Sequence, residues 1–229
     1  VRLLGGHSQA GLEAGVGLMV QGIEQKAEAK PRSLWAKTKM RPFLDLILTK
    51  PLGSGVLLAG YMRHQIASRD LWDALPMMLK SHKAVVELAD HFPIVTATDI
   101  TGFGLAFHLE EMLRQSQVQA NIHLSAIPCF QGARAALKRG IRSSLHQQNS
   151  RGFAPLFAHE HAQLRNDGEI LFDPQTAGGL LLAIDPSHTK TLLTALRSLG
   201  FTAAAKVGHT LPLQGKNLAS KSPLLSISP

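Results

Sequence analysis

The 229 residues are 45% apolar and 17% charged, enough for a sizeable buried core, and no apolar run reaches the roughly 18 residues that a membrane-spanning helix needs. A single cysteine, Cys129, excludes an internal disulfide and any multi-cysteine metal site, and it fits a reducing, cytoplasmic setting. The net charge of +8 raises nucleic acid as a partner, but the basic residues are dispersed and never alternate with aromatics. The composition therefore points to a solvated basic surface that suits an anionic small substrate, with no nucleic acid and no membrane. Val1 to Gly6 lacks the cleavage pattern of a signal peptide, and the chain opens on a glycine motif without an initiator Met, so it reads as a piece of a longer protein.

In chain order, Leu12 to Ile23 alternates like a half-buried strand, and Glu24 to Pro42 reads as a polar, basic loop. Leu44 to Thr49 is a β-rich run closed by Lys50-Pro51-Leu52-Gly53-Ser54-Gly55, a sharp turn beyond which a helix begins at Val56. Asp70 to Ala89 carries apolar residues at helical spacing and predicts one long helix, adjusted at Pro76. Pro93 to Thr98 is expected to be a strand, Thr101 to Gln115 a helix and Val118 to Leu124 a strand, an α/β order. Gln131 to Arg139 is a further helix, ended by Gly140. Ile141 to Asn166 shows little periodicity and predicts a loop or flap over a site. Gly179 to Ile184 reads as a strand, Pro186 to Leu199 as a helix with Pro in its first turn, and Ala203 to Gly208 as a closing strand. The proline- and serine-rich residues 210–229 are expected to form a loosely attached tail.

The chemistry concentrates in glycine-rich strings. In Thr98-Asp99-Ile100-Thr101-Gly102-Phe103-Gly104-Leu105, Asp99 stands where a strand stops, a common position for a Mg²⁺ ligand that shares the ion with substrate phosphates. The N–H groups of the following turn would face the same ligand. Equally, Asp99 or Thr101 could cap the helix, and the residues alone leave both readings open. In Asp173-Pro174-Gln175-Thr176-Ala177-Gly178-Gly179-Leu180, Pro174 sets a turn and the glycines permit close backbone approach, which favours a structural turn before a buried strand over direct catalysis. Gly5-Gly6-His7-Ser8 could cradle phosphates through backbone N–H groups. Cys129, with no basic cluster beside it, reads as an inert packing residue.

These three strings, together with Leu48-Thr49-Lys50-Pro51-Leu52-Gly53-Ser54-Gly55-Val56, resemble the selenide, water dikinase (selenophosphate synthetase) family in order and spacing, from Leu3 to His209. The resemblance implies a chain related to aminoimidazole ribonucleotide synthetase, α/β (α+β) in class. Residues 1–52 would be the remnant of an N-terminal domain that pairs in a homodimeric β-barrel, and 53–209 an α/β C-terminal domain. It implies a reaction of ATP, selenide and water that gives selenophosphate, AMP and phosphate with Mg²⁺. Asp99 matches a metal ligand of that family; Gly5, Gly6, His7 and Ser8 match its nucleotide segment, and Thr101, Gly102 and Gly104 would line the phosphates. Lys50 would add charge near that site or pair with a surface carboxylate.

The family's reactive Cys or selenocysteine, its nearby Lys and its further Asp ligands have no counterpart here, and Cys129 is not placed to replace the nucleophile. No catalytic residue is therefore assigned, and the chain is expected to be inactive alone. Phe107 stands where the family usually has Gly before the residue matching His108, and Ser81 stands near a common Asn. The alternative is a noncatalytic ATP-binding or dimerisation domain of a larger protein. Thiamine phosphate kinases and hydrogenase maturation factors share the expected fold, but the Lys50 to Gly53 and Asp173 to Thr176 strings point away from them.

Overall fold

The computed structural model describes residues 19, 35–88, 91–153, 167–213 and 224–228. Gly5 to Ser8, and all but Met19 of the strand expected at Leu12 to Ile23, lie outside the described residues. The chain divides into two compact units, Val1–Ser33 and Leu34–Pro229. In the second unit the elements run β1 (Asp45–Leu48), α1 (Ser54–Met62), α2 (Ser68–Leu79), α3 (Lys83–Leu88), β2 (Ile94–Asp99), α4 (Gly104–Ser116) and β3 (Val118–His123). They continue with α5 (Ala133–Lys138), α6 (His146–Phe153), β4 (Leu180–Ile184), α7 (Pro186–Ser198), β5 (Ala205–Pro212) and β6 (Leu225–Ser228). The strands form one six-stranded sheet in the order β2-β4-β1-β5-β3-β6. Every neighbouring pair is antiparallel except β3 with β6.

A strand covered on both faces needs apolar residues on both faces, and β1 supplies them. Leu46 and Leu48 enter the larger core, shared with Val56 and Leu57 of α1, Leu71 and Met78 of α2 and Leu109 and Met112 of α4. Ile47, on the opposite face, packs with Val85 of α3, Leu192 and Leu196 of α7 and Phe201. The sheet is thus sandwiched between two helical layers, a mixed α/β architecture of the expected class. The run Leu44 to Thr49, expected in the upstream domain, lies in the middle of this sheet between β4 and β5. The apolar triplet Leu46-Ile47-Leu48, with side chains in both cores, is the signature of that central position.

Four expectations are corrected by tertiary contacts. The single helix predicted for Asp70 to Ala89 is two, because Leu71, Ala74 and Met78 belong to one core while Val85 belongs to the other. The chain changes layer at Lys80, which is extended (φ −66°, ψ 122°), and Pro76 sits inside α2 without ending it. The region Ile141 to Asn166, expected as a loop, contains α6, whose buried His146 and Asn149 are polar. Its buried face carries polar side chains in place of the apolar stripe by which the other helices are recognised. The helix expected from Thr101 begins three residues later, at Gly104. The tail expected to be loose contributes β6, which adds to β3 in parallel, Ala120 opposite Leu225 and Ile122 opposite Ile227, and buries Leu225 and Ile227.

Candidate functional site

Antiparallel pairing decides where the motifs meet. β4 lies between β1 and β2 with Leu48 opposite Leu181 and Asp99 opposite Leu180. The segments leaving the ends of β1 and β2 and the segment entering β4 therefore converge at one end of the sheet. These are Thr49 to Gly55, Asp99 to Gly104 and Asp173 to Gly179, three of the four strings singled out in the sequence.

Their joint is polar and buried. Gln175 Oε1 accepts from the N–H groups of Gly53 (3.1 Å) and Ser54 (3.4 Å) and from the Ser54 hydroxyl (3.2 Å), while its Nε2 donates to the Asp173 carbonyl (2.8 Å) and carboxylate (3.0 Å). The Asp173 carboxylate accepts from the Gly55 N–H (3.1 Å), and the Ser54 hydroxyl accepts from the Thr176 N–H (2.9 Å). α1 thus begins on side chains of the segment before β4, which satisfy N–H groups that every helix leaves unpaired at its start. The glycines permit the fit. A Cβ on Gly178 would run into the Ile100 carbonyl, and one on Gly55 into the Pro174 carbonyl. The structural reading of the Asp173 to Leu180 string is what the geometry shows.

Burial pushes the Asp173 carboxyl up to about 7, against the Val56 and Gly55 N–H groups and the Gln175 amide, which pull it down. Its folded pKa lies above its unfolded value of 3.8, so the stability it contributes is complete below that value and is lost as pH rises through about 7. Asp173→Asn, which does not titrate, is expected to gain melting temperature relative to the unsubstituted chain as the pH goes from about 5 to about 8. A melting-temperature difference that stays flat across that range would contradict this account.

Asp99 ends β2 as an exposed residue, and no described residue hydrogen-bonds or ion-pairs with its carboxylate. It does not cap α4, whose N-cap is Phe103 with no side-chain bond, and Thr101 does not cap it either. The turn after Asp99 is held from several directions. The Ile100 N–H donates to the Gly179 carbonyl (2.9 Å), and the Thr101 carbonyl accepts from the Gln175 N–H (3.0 Å) and the Gly104 N–H (3.0 Å). Asn149 Nδ2 of α6 donates to the carbonyls of Gly102 (2.9 Å) and Phe172 (3.1 Å). Gly104 has a positive φ of 79° and presses against the backbone of Leu171 to Asp173, so both its conformation and its neighbours require glycine. No described residue accepts from the N–H groups of Gly102 or Phe103.

Lys50 does not pair with a surface carboxylate. It is buried, and its ammonium donates to the carbonyls of Met78 (3.2 Å) and Ala177 (3.2 Å), tying the end of α2 to the turn before β4. Burial first, and Lys80 second, hold its pKa below the ordinary lysine value. His82 and His108 both feel the Asp99 charge, but burial dominates in each and lowers the pKa. Burial pushes the Cys129 thiol up to about 11, against a neighbouring Arg134 that pulls it down, which suits the packing role expected of it. Phe107 lies beside Phe103, ring centroids 4.7 Å apart. Among the described residues no three His, Cys, Asp or Glu side chains gather around one metal position. No described helix is long and apolar enough to cross a membrane.

The sequence reading missed the parts played by Gln175, Asn149 and His108, all buried polar residues. Gln175 lay within a string already singled out. Asn149 carried no local signal, and His108 was marked only as a match to a family residue with no role, because each acts on a backbone group supplied by another segment or another turn.

The family described as AIR synthase related protein, C-terminal domain, matches residues 45–219, from β1 to beyond β5. The chain belongs to this family. Within it, the chain is 34% identical to a selenide, water dikinase of Bdellovibrio bacteriovorus over 93% of its own length and 59% of that relative. It is likewise 34% identical to a selenide, water dikinase of Nitrosomonas eutropha, over 93% of this chain and 60% of the relative. The chain thus spans about three fifths of the length of these curated relatives. Its fold is also that of the hydrogenase maturation protein HypE in complex with ATP, with a TM-score of 0.55 at 18% identity over 77% of this chain and 45% of that one. The AIR synthase-type fold expected from the motif strings is therefore the observed one.

Proposed function

We propose that this chain supplies the C-terminal part of a selenide, water dikinase, in which ATP, selenide and water give selenophosphate, AMP and phosphate. The observation that carries this reading is the convergence of three motif segments beside Asp99, a carboxylate that no described residue engages, in a chain similar to named selenide, water dikinases. The name of those relatives and the ATP held by the HypE neighbour support ATP as the ligand.

Mg²⁺ usually rests on one or two carboxylates and completes its shell with phosphate oxygens and water, so one open carboxylate beside unengaged N–H groups suits part of such a site. Asp99 would hold the ion, which when bound would offset charge on the reacting phosphates. Thr101, Gly102 and Gly104 would line those phosphates; Gly5, Gly6, His7 and Ser8 are proposed as nucleotide-binding residues on the family resemblance of their string alone. The N–H groups of Gly102 and Phe103 are the donors this turn can offer an anion. The reactive Cys or selenocysteine and its Lys would lie in a segment this chain does not contain, so the chain alone would be inactive, and the whole protein would be a cytoplasmic homodimer.

The test is AMP formation by the full-length parent with and without selenide. AMP release that depends on selenide is expected. ATP binding without selenide-dependent AMP would instead favour a noncatalytic ATP-binding or dimerisation domain.

A further inference from the structure

His108, in the second turn of α4, is 6% exposed, and its imidazole reaches back to the turn that follows Asp99. Nε2 lies 3.2 Å from the Thr101 backbone N and 3.0 Å from the Thr101 hydroxyl. A backbone N–H can only donate, so Nε2 accepts and the ring proton sits on Nδ1. Nδ1 is itself buried and has no hydrogen-bond partner among the described residues. Phe107 stands edge-on to the ring at 5.2 Å and 85°, and Phe103 lies at 6.4 Å, so the imidazole is walled by aromatic rings.

We propose that His108 is a positioning residue, a neutral imidazole fixed as the Nδ1–H tautomer, which holds the Thr101 N–H and so leaves Gly102 and Phe103 to present their N–H groups beside Asp99. An imidazolium would set a donor against the Thr101 donor and break the hold. Burial, aided by Lys37, disfavours that charged form, while Asp99 and Glu111 pull the other way. That the presented groups receive phosphate oxygens rests on the proposed function; the tautomer and the hydrogen bond do not.

Long-range proton–nitrogen NMR correlations of this chain at about pH 8 are expected to show His108 as the Nδ1–H tautomer. An Nε2–H pattern overturns the proposal. Removing the acceptor with His108→Leu should speed exchange of the Thr101 amide by about tenfold or more, while His108→Gln, whose Oε1 reaches the Nε2 position, should stay within about twofold of the unsubstituted chain. Equal exchange in both variants, with both folded, also overturns it. In the full-length parent, His108→Leu should raise the KM for Mg·ATP by about tenfold, with rescue by His108→Gln. An unchanged KM in an active parent removes the positioning role. A parent that forms no AMP defeats the proposed function, whereas the tautomer and exchange measurements still decide the role of His108.

Discussion

Gln175→Ala is expected to cost about 3–5 kcal/mol, a large part of the roughly 5–15 kcal/mol that holds a typical domain folded. Truncation removes the acceptor of the Gly53 and Ser54 N–H groups and the donor to the Asp173 carboxylate in one step. All of these groups are buried at the joint between α1 and the segment before β4, so the truncation leaves each without its protein partner. Each orphaned buried group costs about 1–3 kcal/mol, more when charged, which is why the expected total far exceeds that of one surface hydrogen bond. Denaturant unfolding of this chain measures it. A loss below about 1 kcal/mol would mean that the joint relaxes and that Gln175 does not hold the motif segments together. Gln175→Glu is the informative companion: it keeps the acceptor but sets a second carboxylate against Asp173, so its loss should shrink as the pH falls and the pair takes up a proton.

Asp99→Asn should behave in the opposite way. The side chain is exposed and unengaged, so the melting temperature is expected to move by no more than about 2 °C. In the full-length parent, selenide-dependent AMP formation is expected to fall at least about 100-fold, because a neutral amide neither attracts Mg²⁺ nor offsets its charge as a carboxylate does. Unchanged AMP formation at saturating Mg·ATP would remove Asp99 from the metal site and leave its position at the strand end as a feature of the fold alone. Together the two substitutions separate the residues that build this end of the sheet from the residue it presents.

That separation also marks the limit of reading motifs as chemistry. The Asp173 to Leu180 string looks like a ligand loop and is largely a joint: Gln175 anchors α1, and Gly178 makes room for the Ile100 carbonyl. Lys50, a cation beside a candidate phosphate site, is spent on two carbonyls. Asp99, in contrast, is left open by everything described around it. Recurrent residues at such a site divide between those that meet the ligand and those that hold the backbone that meets it, and their spacing does not tell the two apart.

The sequence by itself determined the local pieces. Apolar period, proline, and glycines such as Gly140 placed most strands and helices within a few residues, and the order of four short strings identified the family. Those signals are local, set by which face of a segment is apolar and which backbone angles a residue allows. Only the tertiary structure decided that β1 is central, that the helix after Asp70 breaks to serve two cores, that α6 exists at all, and that β6 completes the sheet. It also decided which polar residues are structural. Gln175 bonds to residues more than 120 positions away, and Asn149 to a turn 47 positions away. Pairings at that distance depend on strand order and direction, which no local pattern records, so folding alone brings them together.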